Sequence, residues 1–165
     1  MLNVCGCGEP ATSVLGDYLF VESGLDNVML RQVEVLKCEK CGSITPVLSK
    51  INQLMHVIAA ALVLKPSGLT GREIRFLRKH IGLTGEQFGR KLGLTKEHVS
   101  RIENDKHPAG QQTDRLVRYL AVSAAPHLRS EMEALYLKLD SIGSEPLAER
   151  IEIDLATGSF EYAAA

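Results

Sequence analysis

Four cysteines and one run of polar residues carry most of the chemistry open to this sequence. Cys5, Cys7, Cys38 and Cys41 are its only cysteines, all in the first quarter of the chain. Cys38-Glu39-Lys40-Cys41, followed by Gly42, is a C-x-x-C knuckle, a spacing that lets two thiolates share one tetrahedral ion while backbone amides approach the sulfurs. The upstream pair, Cys5-Gly6-Cys7 before Gly8, is only C-x-C and therefore a weaker match. Such clustering reads as metal binding rather than as a disulfide framework. Four thiolates close the coordination sphere, so one structural Zn2+ per chain is expected, with no open position for a catalytic water. Free or redox-active thiols, or a disulfide, are the competing readings.

The second group lies between residues 84 and 104. Thr84-Gly85-Glu86-Gln87 is a capping box that opens a helix with Phe88 and Leu92 inward and Gly93 at its stop. Thr95 then caps a second helix that buries Val99 and Ile102. Gly89 is small where two such helices would touch, and Gly93 can take the positive φ of the turn between them. The joint pattern is that of a helix-turn-helix. Its second helix offers Lys96, Glu97, His98, Ser100 and Arg101, side chains able to read base edges: an arginine matches guanine O6 and N7, and a glutamate accepts from cytosine N4. A helical bundle with a solvated basic face is the bland alternative.

The five histidines, at 56, 80, 98, 107 and 127, form no nucleophile-base or metal-ligand motif in the sequence, so an enzyme is not expected. His56, alone on a helix, reads as packing or surface.

Several elements must position these groups. Residues 1–48 contain short β-like runs, Tyr18 to Val21, Val28 to Leu36 and Ile44 to Leu48, expected as a small antiparallel sheet that needs a staple. From Lys50 to Lys65 apolar residues recur at helical spacing, and Pro66 and Gly68 end that helix. Thr70-Gly71-Arg72-Glu73 is a further capping box, opening a helix that buries Ile74, Leu77 and Ile81. A helix over about 111–122 and another over 127–139 follow, then an alternating run from Arg150 to Leu155 and Phe160-Glu161-Tyr162, expected as a hairpin. The domains are read as 1–48, 49–68 (helix and linker), 69–125 and 126–165.

Net charge is -1, but the average conceals a segregation: Lys and Arg outnumber Asp and Glu over 69–118, and the reverse holds after 119. A basic module beside an acidic one fits a chain of which one part faces phosphates. The longest apolar stretch, Val57 to Leu64, is too short for a membrane span, and the Met1 end shows no secretory signal; a cytoplasmic protein is expected.

Leu94-Thr95-Lys96-Glu97-His98-Val99-Ser100-Arg101-Ile102-Glu103-Asn104 resembles the recognition helix of Cro/Xre-type helix-turn-helix regulators. The resemblance implies that Lys96, Glu97, His98 and Arg101 meet bases, with Ser100 on the same helix, while Thr95 and Lys106 meet phosphates. Thr84 and Gln87 start the preceding helix, whose amides would point at phosphate. Gly85 departs from the pattern, standing where many relatives carry a DNA-touching glutamine. With the cysteine knuckles, Ala61 to Pro66 and Leu69 to Lys79, residues 1 to 121 resemble the YgiT-type zinc-finger/helix-turn-helix family of MqsA-like antitoxins. That implies a small zinc-stapled β-rich N-terminal domain and an all-α Cro/Xre-type helix-turn-helix domain; with the helix-plus-hairpin tail, which lies outside the resemblance, the chain is expected to be α+β. It further implies a homodimer on a palindromic double-stranded DNA operator, read in the major groove, and a toxin protein bound by the N-terminal domain. A stand-alone repressor without a toxin, and a protein-binding adaptor that no longer contacts DNA, are the alternatives.

Overall fold

A computed structural model describes residues 4–147 and 149–163. The N-terminal part is built on strands β1 (Thr12–Leu19), β2 (Val28–Lys37) and β3 (Ile44–Pro46). β1 and β3 both pair antiparallel with β2. β2 is the organising strand because its apolar residues alternate: Val28, Leu30, Val33 and Val35 are all buried. The alternation skips one residue between Leu30 and Val33. There, Asp17 of β1 stands opposite two residues of β2, the register shifts, and Gln32 takes φ 47°. This bulge keeps both halves of the strand facing the core, and Asp17 stabilises it by accepting the Gln32 amide at 3.0 Å.

Helix α1 (Ile51–Leu64) follows and is buried along most of its length. The helical module comprises α2 (Gly71–His80), α3 (Gly85–Leu92), α4 (Lys96–Glu103) and α5 (Gln111–Ala124). The helix expected over 127–139 begins instead as a 3-10 segment, Pro126–Glu131, and becomes α6 only from Met132 to Lys138. The hairpin then forms, as β4 (Arg150–Asp154) and β5 (Ser159–Ala163).

The sheet departs from the antiparallel expectation. β4 pairs in parallel with β2, setting Val28 against Ile151 and Leu30 against Ile153, so the order is β1-β2-β4-β5 with β3 on the far half of β2. A parallel neighbour needs a long crossover, and the helices between β3 and β4 supply it. Ile151 and Ile153 are fully buried, and Tyr162 of β5 donates to the Ala61 carbonyl of α1 at 2.6 Å. β4 is thus an internal strand of the sheet, with β5 at its edge. One hydrophobic core runs from these strands through Ile58 and Leu62 of α1 to Leu77, Phe88 and Val99 of the helical module.

The segment between α1 and α2 is clamped rather than loose. Arg118 of α5 is fully buried, and its guanidinium donates to the carbonyls of Val63 at 2.9 Å, Lys65 at 2.7 Å and Ser67 at 2.6 Å. The carbonyls left open at the end of α1 are thereby satisfied. Asp114, one turn before, holds Arg118 at 2.7 Å and accepts the Leu69 amide at 2.6 Å. Lys65 and Glu73 form a second buried pair, joined by Asn27 from the start of β2, whose amide donates to Glu73 at 3.0 Å.

Candidate functional site

The three helix starts expected from threonines are present. Thr70 and Thr84 each complete a capping box, with Glu73 and Gln87 respectively, and the Thr95 hydroxyl accepts from the His98 amide at 3.2 Å. Each cap fixes where its helix begins, and therefore which residues face outward. The corner between α3 and α4 is tight. Gly93 adopts φ 70° at the end of α3, and a Cβ on Gly89 would stand 2.6 Å from the Leu94 carbonyl oxygen. Only glycine permits that approach.

α4 then presents two faces. Val99, Ile102 and Glu103 are buried, whereas Thr95, Lys96, Glu97, Ser100 and Arg101 are exposed. Glu103 faces inward because Arg78 of α2 grips its carboxylate through two contacts, at 2.5 and 3.0 Å. This ion pair fixes α4 against α2, leaving Lys96 and Arg101 as the exposed cations of the helix. His98 is half-buried, its ring edge-on to His107 at 4.8 Å, so it is held more firmly than its outward neighbours. The Asn104 side-chain amide donates to the Ser100 carbonyl at 2.7 Å and to its hydroxyl at 3.5 Å, and Ser100 is exposed.

Thr84 and Gln87 do double service. The Gln87 side-chain oxygen accepts from the Thr84 amide at 2.9 Å, and the Thr84 hydroxyl accepts from the Gln87 amide at 3.2 Å. The side-chain nitrogen of Gln87 stays available. Lys106 is exposed beyond the end of α4, its amide donating to the Arg101 carbonyl at 2.9 Å. Gly85 lies against the stem of Lys96, which a Cβ would meet only at 4.0 Å, so the space for a larger side chain exists.

Charge counting alone overstates the basic surface. Arg118, Arg78 and Arg72 are committed to Asp114, Glu103 and Asp26, and Arg115 donates to the Leu139 carbonyl. Arg90 and Lys91 add exposed cations on α3 beside the turn, and their place in the last turn before Gly93 is the sequence signal that marks them.

The four cysteines converge, the C-x-C pair included. Cys5 and Cys41 sulfurs are 3.5 Å apart and those of Cys7 and Cys38 are 3.6 Å apart, with all four within 4.8 Å of one another. A tetrahedron with Zn–S bonds of about 2.3 Å has edges of about 3.8 Å, whereas a disulfide needs about 2.05 Å; the cluster suits an ion. The turns are built for it: the Gly8 amide donates to the Cys5 carbonyl at 2.8 Å, and that of Gly42 to the Cys38 carbonyl at 2.9 Å. The Ser43 hydroxyl and amide favour the Cys41 thiolate, bringing that thiol down to about 6. The Glu9 amide favours the Cys7 thiolate, but the crowding sulfurs of Cys38 and Cys5 outweigh it and push Cys7 up to about 11. Four sulfurs brought this close together share one positive ion readily.

Capped α3, a left-handed glycine, a close glycine contact and an outward polar face on α4 define a helix-turn-helix domain. Residues 70–132 match the family model described as helix-turn-helix domain, in keeping with the Cro/Xre-type pattern of the sequence. No curated protein and no solved structure matches the chain. Among the described residues no helix is long and apolar enough to cross a membrane.

Proposed function

We propose that this protein is a sequence-specific transcriptional repressor that binds DNA as a homodimer and carries one structural Zn2+ per chain on Cys5, Cys7, Cys38 and Cys41. The observation that carries the reading is the outward face of α4: Lys96, Glu97, Ser100 and Arg101 are exposed on a helix whose other face is locked by Val99, Ile102 and the Glu103–Arg78 pair. Arg101 would bond guanine bidentately, Lys96 and Glu97 would select at neighbouring positions, and Thr95, Lys106 and the start of α3 would meet phosphates. No chemical step is assigned to the chain, which acts by binding and not by catalysis, in the cytoplasm.

Dimerisation is supported by an apolar patch on α5 and α6. Tyr119 and Tyr136 flank one surface groove, and Leu116 and Leu137 are also exposed. A second copy seated there would bring two α4 helices to one palindrome, with half-sites about one DNA turn apart.

The antitoxin role rests on the family resemblance and on a free sheet edge. Among the described residues β1 pairs with β2 only, and Val14 and Leu15 on it are exposed. A toxin adding a strand there would gain backbone hydrogen bonds without touching α4, so one chain would serve toxin and operator together.

The test is binding to DNA from upstream of the protein's own gene over a range of salt. The wild type should bind with a steep salt dependence, and Lys96→Ala and Arg101→Ala should each weaken binding and relax specificity, by about 1–3 kcal/mol for the arginine. Absence of binding at low salt, or unchanged binding by both variants, would leave the protein-binding adaptor as the reading.

A further inference from the structure

Three histidines that the sequence scatters over 71 positions meet at one point on the surface. His56 lies on α1, His80 is the last residue of α2, and His127 belongs to the 3-10 segment after α5. The Nε2 atoms of His80 and His127 are 2.7 Å apart. The rings of His56 and His127 are stacked, with centroids 3.6 Å apart and planes 13° from parallel. A ring nitrogen from each of the three lies within 4.8 Å of the other two. We infer that His56, His80 and His127 form a second metal site, distinct from the cysteine cluster, for a divalent first-row transition ion with at least one coordination position open to water.

The chemistry of the donor set supports this assignment. Three imidazoles suit zinc, cobalt, nickel or copper, and three protein ligands with an open fourth position are the arrangement that leaves a metal exchangeable. Without an ion, one of the His80 and His127 rings donates to the other through Nε2 at 2.7 Å, and among the described residues no carboxylate hydrogen-bonds to any of the three rings, so all three keep ring nitrogens for a metal. His80 is held in place by Phe76, whose ring stacks on it at 5.8 Å, while His56 and His127 are exposed and free to adjust. For His80 and His127 the adjustment is small: two nitrogens on one tetrahedral ion at about 2.0 Å stand about 3.3 Å apart, roughly half an ångström beyond their 2.7 Å, while the exposed His56 ring would turn out of its stack on His127 to bring its nitrogen in from within 4.8 Å.

The place of the site in the fold gives it a consequence. α1 packs on the sheet, α2 opens the helix-turn-helix domain, and the 3-10 segment follows α5, so one ion would tie three segments that are distant in sequence. It would do so at the end of α2, immediately before the Ile81-Gly82 turn that leads to α3. This inference does not depend on DNA binding.

Cobalt(II) titration of the metal-free full-length protein tests it. The wild type should take up about two equivalents, one giving intense thiolate-to-cobalt charge transfer and the other only weaker ligand-field bands. His56→Ala/His127→Ala, which changes exposed side chains, should lose the second equivalent and keep the thiolate spectrum. The second equivalent should raise the melting temperature of the wild type and leave that of the variant unchanged. Uptake by the variant equal to that of the wild type, or a wild type that takes up cobalt only with thiolate bands, would overturn the assignment. Failure of the cysteine cluster alone would instead remove the thiolate bands and spare the ligand-field equivalent.

Discussion

Lys65 Nζ lies 2.6 Å from a Glu73 carboxylate oxygen, and solvent reaches neither side chain. The same oxygen accepts the Thr70 amide at 2.8 Å, and the other accepts from Asn27 at 3.0 Å. The capping box of α2 is therefore also the charge partner of α1 and a tie to the sheet. Deleting one partner strands a buried charge, so Lys65→Met should cost about 3–5 kcal/mol, whereas Lys65→Met with Glu73→Gln should recover part of it. Denaturant unfolding of both variants measures the difference; a single variant as stable as wild type would contradict the burial of this pair.

Gly89→Ala should damage the reading head out of proportion to its size. Its Cβ would stand 2.6 Å from the Leu94 carbonyl oxygen, which forces α3 and α4 apart at a cost of about 1–3 kcal/mol. Thermal melting should show the loss, and affinity for the upstream DNA should fall although Gly89 touches no base. Full DNA affinity in this variant would mean that the corner does not set the α4 position.

Gly85→Gln should be tolerated, because a Cβ there meets only Lys96 Cγ at 4.0 Å. Replacing glycine in the first turn of α3 should stabilise the helix by up to about 1 kcal/mol, and the amide should add a contact to DNA. Binding assays should therefore show a tighter complex. A looser one would show that the missing side chain at this position is required.

Cys38→Ser should abolish zinc binding at the cysteine cluster and loosen the knuckles while the helices persist. The cluster sits where β2 and β3 meet, and β4 pairs with the opposite end of β2 at residues 28–31. Zinc content should fall by about one equivalent per chain, and amide exchange should accelerate near Cys5 and Cys41 with little change in α2 to α5. Loss of all helical signal would show that the ion supports the whole core.

Tyr162→Phe should destabilise the chain by about 1 kcal/mol, the net worth of one hydrogen bond. Its hydroxyl donates to the Ala61 carbonyl at 2.6 Å, and burial pushes its ionisation upward. The difference should appear in chemical denaturation, and a neutral result would mean that water replaces the contact.

Much of the helical module is legible because its signals are local. Thr70, Thr84 and Thr95 mark helix starts within four residues, and Gly93 marks the turn by its own conformation. The four cysteines are legible as a set because few other roles suit them. What escapes the sequence is non-local. Nothing near Arg150 indicates that Ile151 and Ile153 will lie beside Val28 and Leu30 in parallel, since an alternating run pairs equally well with any matching edge. Arg118 reads as part of a basic segment, yet it is fully buried because the carbonyls ending α1 arrive around it. β1 begins at Thr12, earlier than its apolar residues suggest, because most of the strand is exposed and lacks alternation. The three histidines come together only through the packing of α1, α2 and the segment after α5.

The parallel pairing of β2 with β4 also sets a schedule for the newborn chain. At about 5–20 residues per second, roughly 6 to 24 s of synthesis separate the emergence of β2 from that of its partner. During that interval β2 leaves the ribosome with half of one edge bare, while all the residues of the helix-turn-helix are synthesised. The DNA-reading part is therefore made before the sheet that carries the cysteine knuckles is finished. A chain interrupted near residue 140 would be a reader without a finished sheet, exposing Val28 and Leu30 to whatever strand it met first.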